Sequence, residues 1–193
     1  MKTVFFDVDT QRDFVFPAGA LYVPGAERVV TAVARLNQHA FRHGIPVVST
    51  MDAHAENDPE FQQWPAHCVQ GAFGQRKPEA TCIPGRIVVP AKPRGFTGAE
   101  APQYLLEKTT VDAFANTHIL SLLEILRPER FVVYGVVTEI CVRYAALGLL
   151  KTGKPVLVVR DAVQALDESR AEEFFAELTA SGGSLTTLSE IGA

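Results

Sequence analysis

From residue 131 to 137 the chain runs Phe-Val-Val-Tyr-Gly-Val-Val, apolar without polar alternation and broken only by Gly135. A helical stretch follows and runs to Gly153, a residue suited to the C′ position of a helix. A strand that is apolar throughout must be buried on both faces. The arrangement that meets this demand is a parallel sheet covered by helices on both sides. One segment therefore already excludes a half-wet antiparallel sheet for the centre of the fold.

The rest of the chain repeats the alternation. Residues 3–8, 46–50, 86–89, 155–159 and 185–188 read as further strands. Residues 27–43 carry Val29, Val30, Val33, Leu36, Ala40 and Phe41 on a helical stripe ended by Gly44. Asn116 is placed to cap a helix with Ile119, Leu120, Leu123 and Leu126 inward, stopped by Pro128. Asp167 is placed to cap another, presenting Ala171, Phe174, Phe175 and Leu178. The expectation is a single domain over residues 1–193: a three-layer α/β/α, Rossmann-like fold with a mostly parallel sheet of about six strands. Ligands of such sheets bind beyond the C-terminal strand ends.

Charge and cysteine usage narrow the function. A net charge of −4 without any Lys/Arg block argues against nucleic acid or an anionic membrane surface as partner. No apolar stretch approaches the ~18 residues of a membrane span. Three cysteines, Cys68, Cys82 and Cys141, are an odd and sparse set, unlike a disulfide framework. The N-terminus enters a strand directly, with too short an apolar run for a signal sequence. A soluble, cytoplasmic protein is expected.

Three places carry chemistry. Cys141 sits near the start of the helix after residue 137, where unpaired backbone N–H groups favour negative charge and suit an oxyanion. Such a site can lower a thiol pKa; the competing reading is a small buried core cysteine. Asp7 and Asp9 fall on the same side of the first strand by alternation, with Asp9 nearer its mouth and suited to a general base. A capping or solvated aspartate is the alternative there. Lys108 is either a surface lysine or the electrostatic partner of a thiolate.

Residues 52–85 break the rhythm, with four prolines, two histidines, two cysteines and the only tryptophan. Within them Asp52, His54 and His67 are borderline ligands suited to Zn²⁺, Fe²⁺ or Mn²⁺, with Glu60 or Asp58 as a fourth. Surface polar residues would give the same letters.

Taken together, several motifs resemble a known family. They are Asp9-x-Gln11-x-Asp13-Phe14, the Pro17–Gly25 stretch (Pro-Ala-Gly-Ala-Leu-x-Val-Pro-Gly), Asp52-x-His54 and Trp64-Pro-x-His67-Cys68-Val-Gln-Gly71. Lys108 with Phe114, and Gly135-Val-Val-Thr138-x-x-Cys141-Val, complete the set. From about residue 3 to 165 the chain resembles the isochorismatase-like cysteine hydrolases, and among them most the nicotinamidases (pyrazinamidases). The resemblance implies a catalytic triad of Asp9, Lys108 and Cys141, and an oxyanion hole from the backbone N–H groups of Val137 and Cys141. It implies a cis Val136–Val137 peptide, and a ring slot between Phe14 and Trp64. It also implies one divalent metal ion, Zn²⁺ first and Fe²⁺ or Mn²⁺ as alternatives, held by Asp52, His54, Glu60 and His67. The implied reaction is hydrolysis of a small carboxamide, nicotinamide to nicotinate and ammonia, through a cysteine thioester and serving NAD salvage. A homo-oligomer is left open by the same resemblance.

The chain departs from the family at two points. Many nicotinamidases place another histidine between His54 and His67, where this chain has Asp58 and Glu60. Others use a glutamate seven residues before the last histidine, the position of Glu60. A serine commonly precedes the Ala-Phe pair after the lysine, where Asp112 stands here. The alternative is a metal-independent cysteine hydrolase of the same superfamily, acting on another amide or on isochorismate. A third reading is a non-catalytic binding domain, which would need none of the triad residues.

Overall fold

The computed structural model describes residues 2–93 and 95–193. Strand β1 (Thr3–Val8) leads into a single-turn helix α1 (Arg12–Val15) and then the long α2 (Glu27–Arg42). Next come β2 (Val47–Asp52), β3 (Ile87–Val89), β4 (Gln103–Lys108) and α3 (Ile119–Leu126). The chain ends with β5 (Arg130–Val136), α4 (Arg143–Leu150), β6 (Val156–Gln164), α5 (Glu168–Ala180), β7 (Ser184–Thr186) and α6 (Leu188–Ile191). The strands form one seven-stranded sheet in the order β3-β4-β2-β1-β5-β6-β7. Every pairing in it is parallel.

Strand alternation divides the core into two layers. Val4, Phe6 and Val8 of β1 lie in one apolar cluster with Leu122 of α3, Ala146 of α4 and Phe174 of α5. Phe5 faces the other way, toward Val33 and Leu36 of α2. The three layers thus follow from apolar residues on both strand faces.

The structure differs from the expected pattern at four points. The strand missing from the sequence reading is β4, whose Gln-Tyr-Leu-Leu-Glu-Lys lacks a β-branched run and begins with Gln103. Gln103 is nevertheless fully buried, its side chain bonded to Ile83 N, Ser49 Oγ and Thr81 O. Asn116 does not cap α3, whose N-cap is His118. Instead its side chain accepts from His118 N and donates to Pro90 O and Glu107 O, tying the loop to the end of β4. Leu120 and Phe41, expected inward, are exposed. Leu188, expected in the last strand, opens α6 behind a Thr187 capping box. The caps of α2 and α5 agree with expectation, Asp167 accepting from Ser169 N and Arg170 N. No helix among the described residues is long and apolar enough to cross a membrane.

Gly135 lies inside β5 with φ of 121°, and a Cβ there would sit 2.1 Å from the Val8 carbonyl oxygen. Its absence of a side chain lets β1 and β5 approach at the register Val8↔Gly135. The ends of β1, β2, β4 and β5 are thereby brought to one edge of the sheet.

Candidate active site

Four strand ends deliver the chemistry. Lys108 is the last residue of β4, directly opposite Asp52, the last of β2. Asp9 follows β1, and Cys141 lies in a π-helical turn (Thr138–Val142) between β5 and α4. Lys108 Nζ is 2.8 Å from Asp9 Oδ2, 2.5 Å from Asp52 Oδ1 and 4.0 Å from Cys141 Sγ. Each of these residues is more than 90% buried.

Asp9 departs from the expected strand geometry. It has φ of 48°, in the left-handed region, and leaves the face it would share with Asp7. Asp7 points toward α2, accepting from Asn37 Nδ2, Ser49 Oγ and Lys77 Nζ. Asp9 instead accepts from Thr50 Oγ1 at 2.6 Å and lies on the Cys141 side. The sequence carried no sign of Thr50 in this role.

Protonation follows from burial and charge. Burial raises the Asp9 carboxyl above the usual aspartate range, Lys108 opposing and the Asp52 charge adding to the rise. Burial also pushes Asp52 up, but Lys108 and the two histidines outweigh it and hold it well below that range. For Lys108, burial pulls downward while Asp52, Asp9 and Cys141 more than compensate. The Cys141 thiol is pushed well up, chiefly by burial; Lys108 opposes the rise, and the Asp9 and Asp52 charges add to it. Burial and the two carboxylates thus work against the thiolate that a helix start beside a lysine would favour. Cys68 and Cys82 are free and buried, and their thiols are raised by burial as well.

Asp52, His54 and His67 bring one donor atom each within 4.8 Å of one another. Asp52 Oδ2 lies 3.8 Å from His54 Nε2 and 3.7 Å from His67 Nε2, too far for good hydrogen bonds. An ion about 2.0–2.2 Å from each donor fits such spacing. His67 Nδ1 is bonded to Pro65 O at 2.7 Å, which leaves its Nε2 lone pair for the cluster. Among the described residues neither ring nitrogen of His54 has a well-aligned hydrogen bond, although Nδ1 is 3.1 Å from Asp58 Oδ2. Two carboxylates share the single Lys108 cation, an excess of negative charge that a metal cation would balance. The residues present fit a divalent metal.

Glu60 does not share the compact donor group of Asp52 and His67; it groups with His54 and Asp58. It does line the same pocket as Asp52, His67 and Cys141, and burial and the Asp52 charge raise its pKa. Asp58 is engaged elsewhere, with Oδ1 accepting from Glu60 N and Oδ2 against His54. Asp112 accepts from Phe114 N, holding the turn before the Ala-Phe pair.

Phe14 and Trp64 both line this pocket, together with Val137, Ile140 and Cys141. Leu21, Tyr22, Val23, Val111 and Leu166 add walls that the sequence reading had not assigned. Phe61 packs on both imidazoles, ring centroids 5.3 Å from His54 and 5.7 Å from His67. Gln11 pairs both backbone groups of Asp52, accepting from its N at 2.7 Å and donating to its O at 2.8 Å. Asp13 accepts from Cys68 N at 2.7 Å, beside His67. In the sequence both stand only as motif letters. The Val136–Val137 peptide is cis, as the resemblance implied.

A family model described as the Isochorismatase domain matches residues 3–190. The nicotinamidase of Escherichia coli is 26% identical, covering 95% of this chain and 93% of its own. The crystal structure of Pyrococcus horikoshii pyrazinamidase in complex with zinc superposes with a TM-score of 0.82 at 27% identity, covering 97% and 99% of the two chains. N-carbamoylsarcosine amidase of Thermoplasma acidophilum superposes with a TM-score of 0.78 at 26% identity, covering 97% of each. With sheet order, site residues and family model in accord, the chain belongs to the isochorismatase family of hydrolases.

Proposed function

We propose that this protein is a metal-dependent nicotinamidase, working through a thioester at Cys141 within one domain over residues 1–193. The observation that carries the reading is the Lys108 bridge, one ammonium joining Asp9 of a nucleophile site to Asp52 of a metal-donor set. Similarity to a nicotinamidase and to a zinc-bound pyrazinamidase supports it. Asp9 takes the Cys141 proton as Sγ attacks the carboxamide carbon, so the thiol is ionised only when it is needed. The oxyanion is held by the N–H groups of Val137 and Cys141. Asp9 then passes its proton to the departing ammonia, leaving the thioester. In the second half Asp9 accepts a proton from water, whose oxygen releases the acid, and the proton returns to Cys141. Lys108 stays charged and keeps Asp9 ionised between steps.

Asp52, His54 and His67, with Glu60 as fourth donor, would hold one divalent ion, which supplies a Lewis-acidic anchor for a ring nitrogen. The engagement of Asp58 with Glu60 N and His54 favours Glu60 over Asp58. Phe14 and Trp64 would flank a flat heterocycle. The setting proposed is cytoplasmic NAD salvage.

Metal content and ammonia release from nicotinamide, before and after chelation, test the reading. Stoichiometric metal is expected, with KM rising strongly and kcat/KM falling on its removal while Cys141 stays alkylatable. Benzamide, lacking the ring nitrogen, should be poor even with metal. Unchanged hydrolysis after chelation would instead favour a metal-independent hydrolase of another amide, the reading to which the similarity with N-carbamoylsarcosine amidase points.

A further inference from the structure

One charged side chain beside the nucleophile has no part in the reaction above. Glu139 lies two residues before Cys141 and is only 6% exposed. Its Oε1 accepts from Leu166 N at 3.0 Å and from Asp167 N at 2.9 Å. Those two N–H groups belong to the turn between β6 and α5, just beyond a strand end of the same sheet edge. Asp167 uses its own carboxylate to cap α5, accepting from Ser169 N and Arg170 N. Both ends of the turn are therefore pinned by carboxylates, one local and one from the nucleophile turn. Glu139 Oε2 is buried without a hydrogen-bond partner among the described residues, an unmet polar atom that stability alone does not favour.

The turn so pinned presents Leu166. This residue is 49% exposed, and among the described residues it alone is both an exposed large apolar side chain and a wall of the Cys141 pocket. Leu21, Tyr22 and Val23 line the same pocket, themselves held because Val23 N donates to Phe14 O and Ala20 N to Asp13 Oδ1. An apolar side chain left half in water at a pocket mouth gains burial when a ring slides under it.

We infer that Leu166 is a specificity-determining residue that limits the pocket to single-ring carboxamides, and that Glu139 is its positioning residue. The inference rests on the carboxamide-hydrolase reading of the site. Glu139 couples the width of the entrance to the backbone that carries Cys141. A rigid apolar wall discriminates by size to the extent that it cannot retreat, and the two hydrogen bonds to Glu139 Oε1 hold this one in place.

The test compares kcat/KM for nicotinamide and for quinoline-3-carboxamide, which keeps the ring nitrogen and amide but adds a fused ring. Wild type, Leu166→Ala, Glu139→Ala and Glu139→Gln are measured. Leu166→Ala should narrow the preference for nicotinamide at least about tenfold, mainly through KM. Glu139→Ala should narrow it in the same direction, whereas Glu139→Gln, which keeps an acceptor for the turn, should stay near wild type. A second readout needs no substrate: the ratio of Cys141 alkylation rates by N-phenylmaleimide and iodoacetamide should rise in Leu166→Ala and Glu139→Ala. Both ratios unchanged in Leu166→Ala would overturn the inference. A Glu139→Gln variant as permissive as Glu139→Ala would overturn the role given to the hydrogen bonds. If wild type leaves nicotinamide intact while the alkylation ratio shifts as stated, the wall stands and the substrate reading fails.

Discussion

Asp9 reaches Cys141 because one residue leaves the strand conformation. Alternation along β1 would place it beside Asp7, among Asn37, Ser49 and Lys77, but its φ of 48° moves it to the Thr50 and Lys108 side. Asp9→Asn keeps the shape yet cannot shuttle a proton, so hydrolysis should fall at least about a hundredfold. Asp7→Asn should be milder for turnover, and the reverse order in steady-state rates would mean that the wrong aspartate was chosen. The pH profile follows from the same burial. Because the Asp9 carboxyl is raised, its basic form is lost on acidification at a higher pH than the ~3.9 of a free aspartate. The acid limb of kcat/KM should therefore have its midpoint above that value. A limb at or below it would mean that Lys108 outweighs burial. At this scale the residue types were legible in the motifs, and the partners were not. Thr50, Phe61 and Leu166 have ordinary local patterns, and only distant folding brings them to the cleft. Burial and two carboxylates also work against the thiolate that a helix start and one lysine would favour.

The elements were read best where apolar residues made the argument. Strand β1 matches its expected bounds, and α2 and the cap of α5 agree closely. Strand β4 escaped because a buried glutamine and a terminal lysine look polar, although their partners satisfy them inside the fold. Gly135 breaks the apolar run of the sequence, and in the fold it is a close-approach residue within β5. Gly135→Ala should drive a methyl into the Val8 carbonyl and force an L residue to φ of 121°. The expected loss is at least about 3 kcal/mol in chemical denaturation, among the largest for a single substitution. A loss under ~1 kcal/mol would show that β1 and β5 can separate locally without cost.

Across the whole molecule, a second buried ion pair ties the layers together behind the site. Lys77 Nζ lies 3.1 Å from Asp7 Oδ2 and donates to Thr10 Oγ1 at 2.9 Å, joining the loop before β3 to the end of β1. Asn37 extends the network from α2 to Asp7, Thr81 O and Tyr134. Lys77→Met would leave the Asp7 charge buried and unpaired, at a cost of about 3–5 kcal/mol in denaturant unfolding. Near-native stability would show that the pair is dispensable. The sequence announced the layered sheet through its apolar runs and the site through its spacing. This network was silent, because its members are scattered from residue 7 to 134. Cys141 as the nucleophile is tested most directly by ammonia release from nicotinamide by Cys141→Ala beside Cys68→Ala and Cys82→Ala. A loss of at least about a thousandfold is expected in the first, with the fold intact, and retained activity in the other two. Turnover near wild type in Cys141→Ala would contradict it.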